Sequence, residues 1–417
     1  MADKEAPRVL RAWGLSFVCY AAYYFGRKGF AVSKKALASE QGLSESALGV
    51  VDSAYLTAYA LSQFVSGVLG DRLGARRLLG FGLLGSALAC AAFGSASGAL
   101  GFTLAYFANG AFQATGWPGT TRVMADFTTP KNRGSVMALW STCYQVGGIV
   151  ANLLCAYLLL RFGWRSAFWI PAALLGAMSL AVWFGLPDPK AESSMATTHA
   201  ASPAALALES DRALIAQAQR RLLADRLLWS YSACYFFIKF IRYALLFWLP
   251  YYLATTLGYR ADLAASVASA FEVGGVVGVI ALGVLSDRTR RLSRAALSTL
   301  SLLGLALSLF LYTKVAGMGV GPNAVALACV GALLFGPDAL LSGAAAQDAG
   351  GPRAAALATG MVNGVGSLGA ILEGLLVPRI SRNFGWEGLF PVLVLLALAS
   401  AVSLGPALLR AKIPREE

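Results

Sequence analysis

Two stretches decide how this chain folds: GVLGDRLGARR at Gly67–Arg77 and GVLSDRTRRLS at Gly283–Ser293. Each follows a long apolar run and turns into an Asp-Arg pair, so that Asp71 recurs as Asp287. A second pair of landmarks, FGWRSAF at Phe162–Phe168 and FGWEGLF at Phe384–Phe390, repeats at nearly the same offset. Matched landmarks at matched places mark an internal duplication. The chain therefore reads as two related halves.

What fills each half follows from composition. The chain has 417 residues, 57% of them hydrophobic and 13% charged. Soluble domains carry about 25% charge, so this apolar surplus has no single water-soluble core to enter. Apolar runs occupy 12–33, 47–69, 78–97, 99–123, 134–160, 164–186, 226–257, 262–285, 295–315, 321–345, 354–378 and 387–409. Each is near the ~20 residues that cross a bilayer as a helix. The 45 glycines scattered through them suit membrane helices that pack closely. The expected fold is an all-α polytopic membrane protein with 12 transmembrane helices in two pseudo-symmetric six-helix bundles. The bundles are expected at 1–186 and 226–417, joined by a polar linker at 187–225 that contains Pro187, Pro189 and Pro203. The first run holds Arg27 and Lys28 and has no small-residue cleavage signature, so it reads as a retained helix.

Charge sets orientation and removes several function classes. The net charge of +13 lies mostly in short loops, not on one exposed face, which argues against a nucleic-acid partner. Arg72, Arg76, Arg77, Lys131, Arg133, Arg288, Arg290, Arg291 and Arg410 fall on one side, with the linker. The positive-inside rule puts that side, and both termini, in the cytoplasm. The Ala/Gly/Leu-rich chain with short loops suits a bacterial inner membrane. All six cysteines lie in apolar runs, the single histidine, His199, lies in the linker, and no Walker loop is present. No metal, cofactor or ATP chemistry is expected. Nor is an enzyme, since no general acid and base pair up in an obvious pocket. Each bundle can bury its own faces, so a monomer suffices.

The sharpest functional signal is charge inside the membrane, which costs at least ~2.5 kcal/mol per cation on insertion scales and so faces protein or water. Arg27 in the first run and Arg242 in the seventh are separated by almost the same interval as Asp71 and Asp287. Two guanidiniums at equivalent places suit an oxyanion, because the planar fork fits phosphate or carboxylate bidentately. Lys28 and Lys239 can add to the field, although Lys28 can also snorkel outward. Tyr20 and Tyr23 lie seven and four residues before Arg27, on one helical face, and can supply hydroxyls and a ring wall. The opposing reading pairs the arginines with Asp52, Glu272, Asp338 or Glu373. Glu272 is open to two roles, a counter-charge or a proton carrier. Asn109, Gln113, Gln145, Asn152 and Asn363 suit either a cavity wall or helix–helix hydrogen bonds. At the membrane edge, Asp71, Arg72, Asp287 and Arg288 read as a cytoplasmic gate latch or, more plainly, as helix stops that orient the chain.

YYFGRKGF (Tyr23–Phe30), AYALSQFVSGVLGDR (Ala58–Arg72), GWPGTTR (Gly116–Arg122), FIRYALLFWLPYYL (Phe240–Leu253) and SAFEVGG (Ser269–Gly275) resemble the organophosphate:phosphate antiporter family of the major facilitator superfamily. The resemblance covers nearly the whole chain. It implies a secondary transporter that exchanges a small phosphorylated metabolite, such as a sugar phosphate, glycerol 3-phosphate or phosphoglycerate, for inorganic phosphate by alternating access. It also implies that Arg27 and Arg242 take the phosphoryl oxygens. Three positions depart from bacterial glycerol-phosphate transporters: Gln63 replaces a lysine, Tyr144 a histidine and Phe247 an aspartate. The anchors are kept while the accessory shell changes. Two further readings stay open, a proton-coupled carrier of another organic anion and a non-transporting sugar-phosphate sensor.

Overall fold

A computed structural model describes residues 2–127, 140, 142–187, 217, 220–289 and 292–411; the side chains of 2–7, 64, 67–72, 121–122, 125–127, 287 and 351–356 lie outside the description. Most of the expected linker, with His199, and the first residues of the expected 134–160 span are also outside it. Among the described residues every helix is α apart from one π-helical turn at Leu341–Ala345. The α-helices are α1 (Ala2–Tyr23), α2 (Phe25–Glu40), α3 (Glu45–Leu73), α4 (Ala75–Ser95), α5 (Gly98–Gln113), α6 (Gly116–Phe127), α7 (Cys143–Phe162) and α8 (Ser166–Gly185). They continue as α9 (Arg226–Thr255), α10 (Ala261–Arg288), α11 (Arg294–Val315), α12 (Val320–Leu340), α13 (Ala346–Phe384), α14 (Leu389–Ser403) and α15 (Gly405–Ala411).

Nine helices among the described residues are long and apolar enough to cross a membrane. Their outward faces carry bare apolar side chains, such as Leu88, Phe184 and Val402. Lipid can cover such a surface and water cannot. The chain is an integral membrane protein.

Three expected spans are not simple helices. The first is divided at Tyr24, whose N–H bonds back to the Ala21 carbonyl, while the Arg27 and Lys28 N–H groups both reach the Tyr24 carbonyl. One turn is tightened there, a local 3₁₀ adjustment. The fourth is divided at Ala114–Thr115, where the Thr115 N–H bonds to the Phe112 carbonyl. The tenth passes Pro337, which has no N–H to give, and runs into the π turn. The eleventh is longer than its apolar run, since α13 spans 39 residues. Hydropathy marks the part that lipid touches, whereas the helix continues into polar sequence.

The chain forms two compact units. One contains Met1–Thr197 with Leu246–Ser269, the other Thr198–Leu245 with Ala270–Glu417. In the first, α4 packs on α5 and α8, and α3 packs on α5. Phe93 stacks on Phe168 at 4.3 Å, and Gly110 brings α5 against the backbone of Tyr55 on α3. In the second, α11 packs on α12 and α14. Tyr312 lies 4.6 Å from Phe390 and donates to the Asn323 Oδ1 at 3.1 Å. The Phe-Gly-Trp landmarks have a common cause. Gly163 and Gly385 end α7 and α13 at φ of +78° and +70°, a left-handed helix stop that disfavours any side chain.

Candidate functional site

The tightened turn at Tyr24 presents the carbonyls of Tyr23, Gly26 and Arg27 to a neighbour, and α5 answers with one stripe of polar side chains. Tyr106 donates to the Arg27 carbonyl at 3.0 Å, Asn109 to Gly26 at 2.7 Å and Gln113 to Tyr23 at 2.9 Å. Steps of three and four residues put these donors on one face of α5. Ser86 of α4 completes the network, donating to Asn109 at 2.6 Å and lying 3.0 Å from the Gln113 amide nitrogen. Gly26 permits the approach, because a Cβ there would stand 2.5 Å from the Gln113 amide nitrogen.

That network aims Arg27. Its Nε donates to the Gln113 Oε1 at 2.7 Å, so the amide that caps the backbone also fixes the guanidinium. The guanidinium carbon lies 4.9 Å from the Tyr24 ring centre and 5.1 Å from that of Tyr59. Ring faces favour a cation without neutralising it. Arg27 is buried, and its Nη2 has no acceptor among the described residues. A buried donor on a charged group without an acceptor is costly, and an oxyanion supplies the matching acceptor.

The other residues expected near Arg27 fall as follows. Tyr20 packs its ring on Trp117 and Trp140 at 5.8 and 5.5 Å. The Tyr23 hydroxyl shares a 2.8 Å hydrogen bond with Thr115. Lys28 is buried, so it does not snorkel outward. Tyr144 packs against the cluster formed by Tyr20, Tyr23, Tyr24 and Trp140, and Gln63 is half-buried. Farther along α2, Lys34 forms a fully buried ion pair with Asp52, and its ammonium sits 3.4 Å from the Trp248 ring centre. This is one of the acids considered as a partner for the arginines, engaged instead by a lysine.

In the second unit Arg242 is differently partnered. Its Nη1 donates to the Asp338 Oδ2 at 2.8 Å, and its guanidinium carbon lies 4.8 Å from the Phe335 ring centre. Lys239 sits 5.4 Å from the Tyr235 ring centre. Glu272 and Glu373 are buried in α10 and α13. Asn363 donates to the Thr359 carbonyl of its own helix at 3.1 Å and is half-buried. Arg288 is exposed at the end of α10, while the side chains of Asp71, Arg72 and Asp287 lie outside the described residues. The two repeat-related arginines therefore have unlike partners, a neutral amide for Arg27 and a carboxylate for Arg242. Among the described residues no group of His, Cys, Asp and Glu could hold a metal ion.

The Tyr106–Asn109–Gln113 spacing is visible in sequence as a polar stripe, but its role in aiming Arg27 is not. Tyr24, Tyr59, Ser86 and Phe335 carry no signal that separates them from ordinary packing residues.

Residues 16–372 match the model of the Major Facilitator Superfamily. Sugar phosphate exchanger 3 of Gallus gallus is 31% identical over 87% of this chain and 79% of its own length. The probable hexose phosphate transport protein of Chlamydia pneumoniae is 29% identical over 94% of this chain and 89% of its own. The membrane sensor protein UhpC of Salmonella typhimurium is 29% identical over 95% and 90%. Among solved structures, a bacterial homologue of the human lysosomal transporter Spinster, inward-facing and occupied, superposes with a TM-score of 0.77 over 97% of both chains at 15% identity. A D-xylose-proton symporter gives 0.74 over 95% of this chain and 97% of its own at 14% identity. At such identities these two structures speak to the fold.

Proposed function

Since the chain belongs to the Major Facilitator Superfamily and, within it, to the organophosphate:phosphate antiporters, we propose that it exchanges a small phosphorylated metabolite for inorganic phosphate by alternating access. The observation that carries this reading is the state of Arg27: buried, oriented by Gln113, flanked by tyrosine rings, and with a terminal nitrogen that has no acceptor among the described residues. A phosphoryl oxygen satisfies that nitrogen, and Arg242 contributes the second cationic contact. The relatives named as a sugar phosphate exchanger and a probable hexose phosphate transport protein support the same substrate class.

Arg27 also gives exchange a physical cause. An unneutralised guanidinium resists being closed away from water. A bound anion removes that cost, so the loaded carrier inverts and the empty one does not. Phosphate and organophosphate then take turns on one site. The carrier works as a monomer in the inner membrane of a bacterium, with both termini in the cytoplasm, in keeping with the positive-inside count. The two six-helix halves are taken at 1–186 and 226–417, joined by the linker at 187–225, and Asp71, Arg72, Asp287 and Arg288 latch the cytoplasmic gate.

The test is uptake of labelled phosphate into proteoliposomes loaded with phosphate, challenged outside with glycerol 3-phosphate, glucose 6-phosphate and 3-phosphoglycerate. Uptake that needs internal phosphate and is competed by an organophosphate supports the proposal. Uptake driven by a pH gradient alone contradicts it. The likeness to a membrane sensor favours one second reading, in which a sugar phosphate binds the well-folded protein but no exchange occurs.

A further inference from the structure

Resting on that transport reading, we infer that Asp338 is a specificity-determining residue whose carboxylate takes a hydrogen bond from a hydroxyl on the organic part of the substrate. Asp338 is 4% exposed. Its Oδ2 is engaged by Arg242, whereas its Oδ1 is buried and receives no donor from the described residues. A carboxylate oxygen in that condition is costly, and a donor relieves the cost. Sugar and glycerol phosphates bring hydroxyl donors a few bonds from the phosphoryl group.

The pair also carries more than the cation that grips a phosphoryl oxygen. Arg242 and Asp338 together are neutral, whereas Arg27 leans on a neutral amide and keeps its full charge. The Arg242–Asp338 pair thus offers a donor group to the anion and an acceptor to a hydroxyl, which is what reads a hydroxylated phosphate ester.

The acid is not demanded by the fold. Gly110 and Gly331 occupy equivalent places in the two halves, against the backbones of Tyr55 and Phe271. By that register the first-half counterpart of Asp338 is Trp117. Asp338 also lies in the last turn of α12, after Pro337 and just ahead of the π turn, and the Ser342 hydroxyl donates to the Asp338 carbonyl at 2.6 Å. Such turns recur at functional positions.

The test compares glycerol 3-phosphate and glucose 6-phosphate with n-propyl phosphate, which has no carbon-borne hydroxyl, as competitors of phosphate exchange. It is run on the reconstituted wild type, Asp338→Asn and Asp338→Val. The wild type is expected to prefer at least one hydroxylated ester by about tenfold or more, the worth of a hydrogen bond to a charged group. Asp338→Val is expected to bring the hydroxylated esters and n-propyl phosphate to equal inhibition constants, each measured against that variant's own phosphate exchange. Asp338→Asn, which keeps the size and a bond to Arg242, weakens the preference. A wild type indifferent to the hydroxyls overturns the inference, as do variants that keep the preference or weaken all three esters in parallel. Well-folded wild type that exchanges no phosphate removes the transport reading and this inference with it. Intact exchange with an unchanged preference removes the inference alone.

Discussion

Gln113 accepts a hydrogen bond from the Arg27 Nε at 2.7 Å while its amide nitrogen donates to the Tyr23 carbonyl at 2.9 Å. One side chain thus ties the helix backbone to the direction of the guanidinium, whose Nη2 has no acceptor among the described residues. Gln113→Ala is expected to raise the KM for phosphate about tenfold, since a hydrogen bond to a charged group contributes ~1.5–3 kcal/mol. Gln113→Glu places an anion on Arg27 and is expected to abolish exchange. Initial rates against phosphate concentration check both, and wild-type kinetics in Gln113→Glu contradict the positioning role.

Gly26 sets the spacing of the same network. A Cβ at this position meets the Gln113 amide nitrogen at 2.5 Å and the Ser86 hydroxyl at 3.2 Å. Gly26→Ala is expected to displace Gln113 and reproduce the KM increase of Gln113→Ala, and Gly26→Val to lower the yield of folded protein. Size-exclusion profiles and exchange kinetics measured on the same preparations distinguish these effects.

Lys34 and Asp52 are 0% and 1% exposed and paired. Removing one partner leaves a buried charge and costs about 3–5 kcal/mol. Lys34→Met and Asp52→Leu are each expected to lower the apparent melting temperature in detergent sharply, and the double variant to recover most of the loss. A double variant that loses the sum of the two single losses contradicts a coupled pair.

Asp225 lies outside the membrane spans, just ahead of α9. Partial burial works against its charge, but the Leu227 N–H and the Arg410 guanidinium outweigh that and hold its carboxyl below the usual range. A depressed carboxylate contributes stability that is present above its unfolded pKa of ~3.9 and is lost as pH falls through the lower folded value. The pair is largely exposed, so the contribution is screened and falls within ~1 kcal/mol. Arg410→Ala is expected to lower the apparent melting temperature slightly at pH 6–7 and to leave it unchanged once pH falls below the folded value. A loss that grows as pH falls contradicts this sign.

The fold was legible because lipid imposes a simple rule on sequence. Apolar runs of bilayer-crossing length and a repeated Asp-Arg landmark mark where helices lie and where halves correspond, and the Phe-Gly-Trp repeat carries its own cause in Gly163 and Gly385. The breaks at Tyr24 and Ala114–Thr115 were not legible, because hydropathy does not register which carbonyl a backbone N–H chooses. Arg27 and Arg242 stood out because charge inside a membrane needs an explanation. Their partners did not, because Gln113 and Asp338 lie 86 and 96 residues away in sequence, and that pairing depends on how α5 and α12 pack.

On the proposed cycle, Arg27 and Arg242 each meet the transported anion during exchange. Arg27→Lys and Arg242→Lys keep a positive charge but lose the planar fork. The direct measurement is phosphate–phosphate exchange by each variant in proteoliposomes, at matched amounts of folded protein. The account predicts that exchange falls at least about a hundredfold in Arg27→Lys, where the cation has no anionic partner among the described residues, and clearly but less in Arg242→Lys, in line with the ~1–3 kcal/mol at stake in charge-assisted contacts. Exchange that proceeds at the wild-type rate in Arg27→Lys would contradict it.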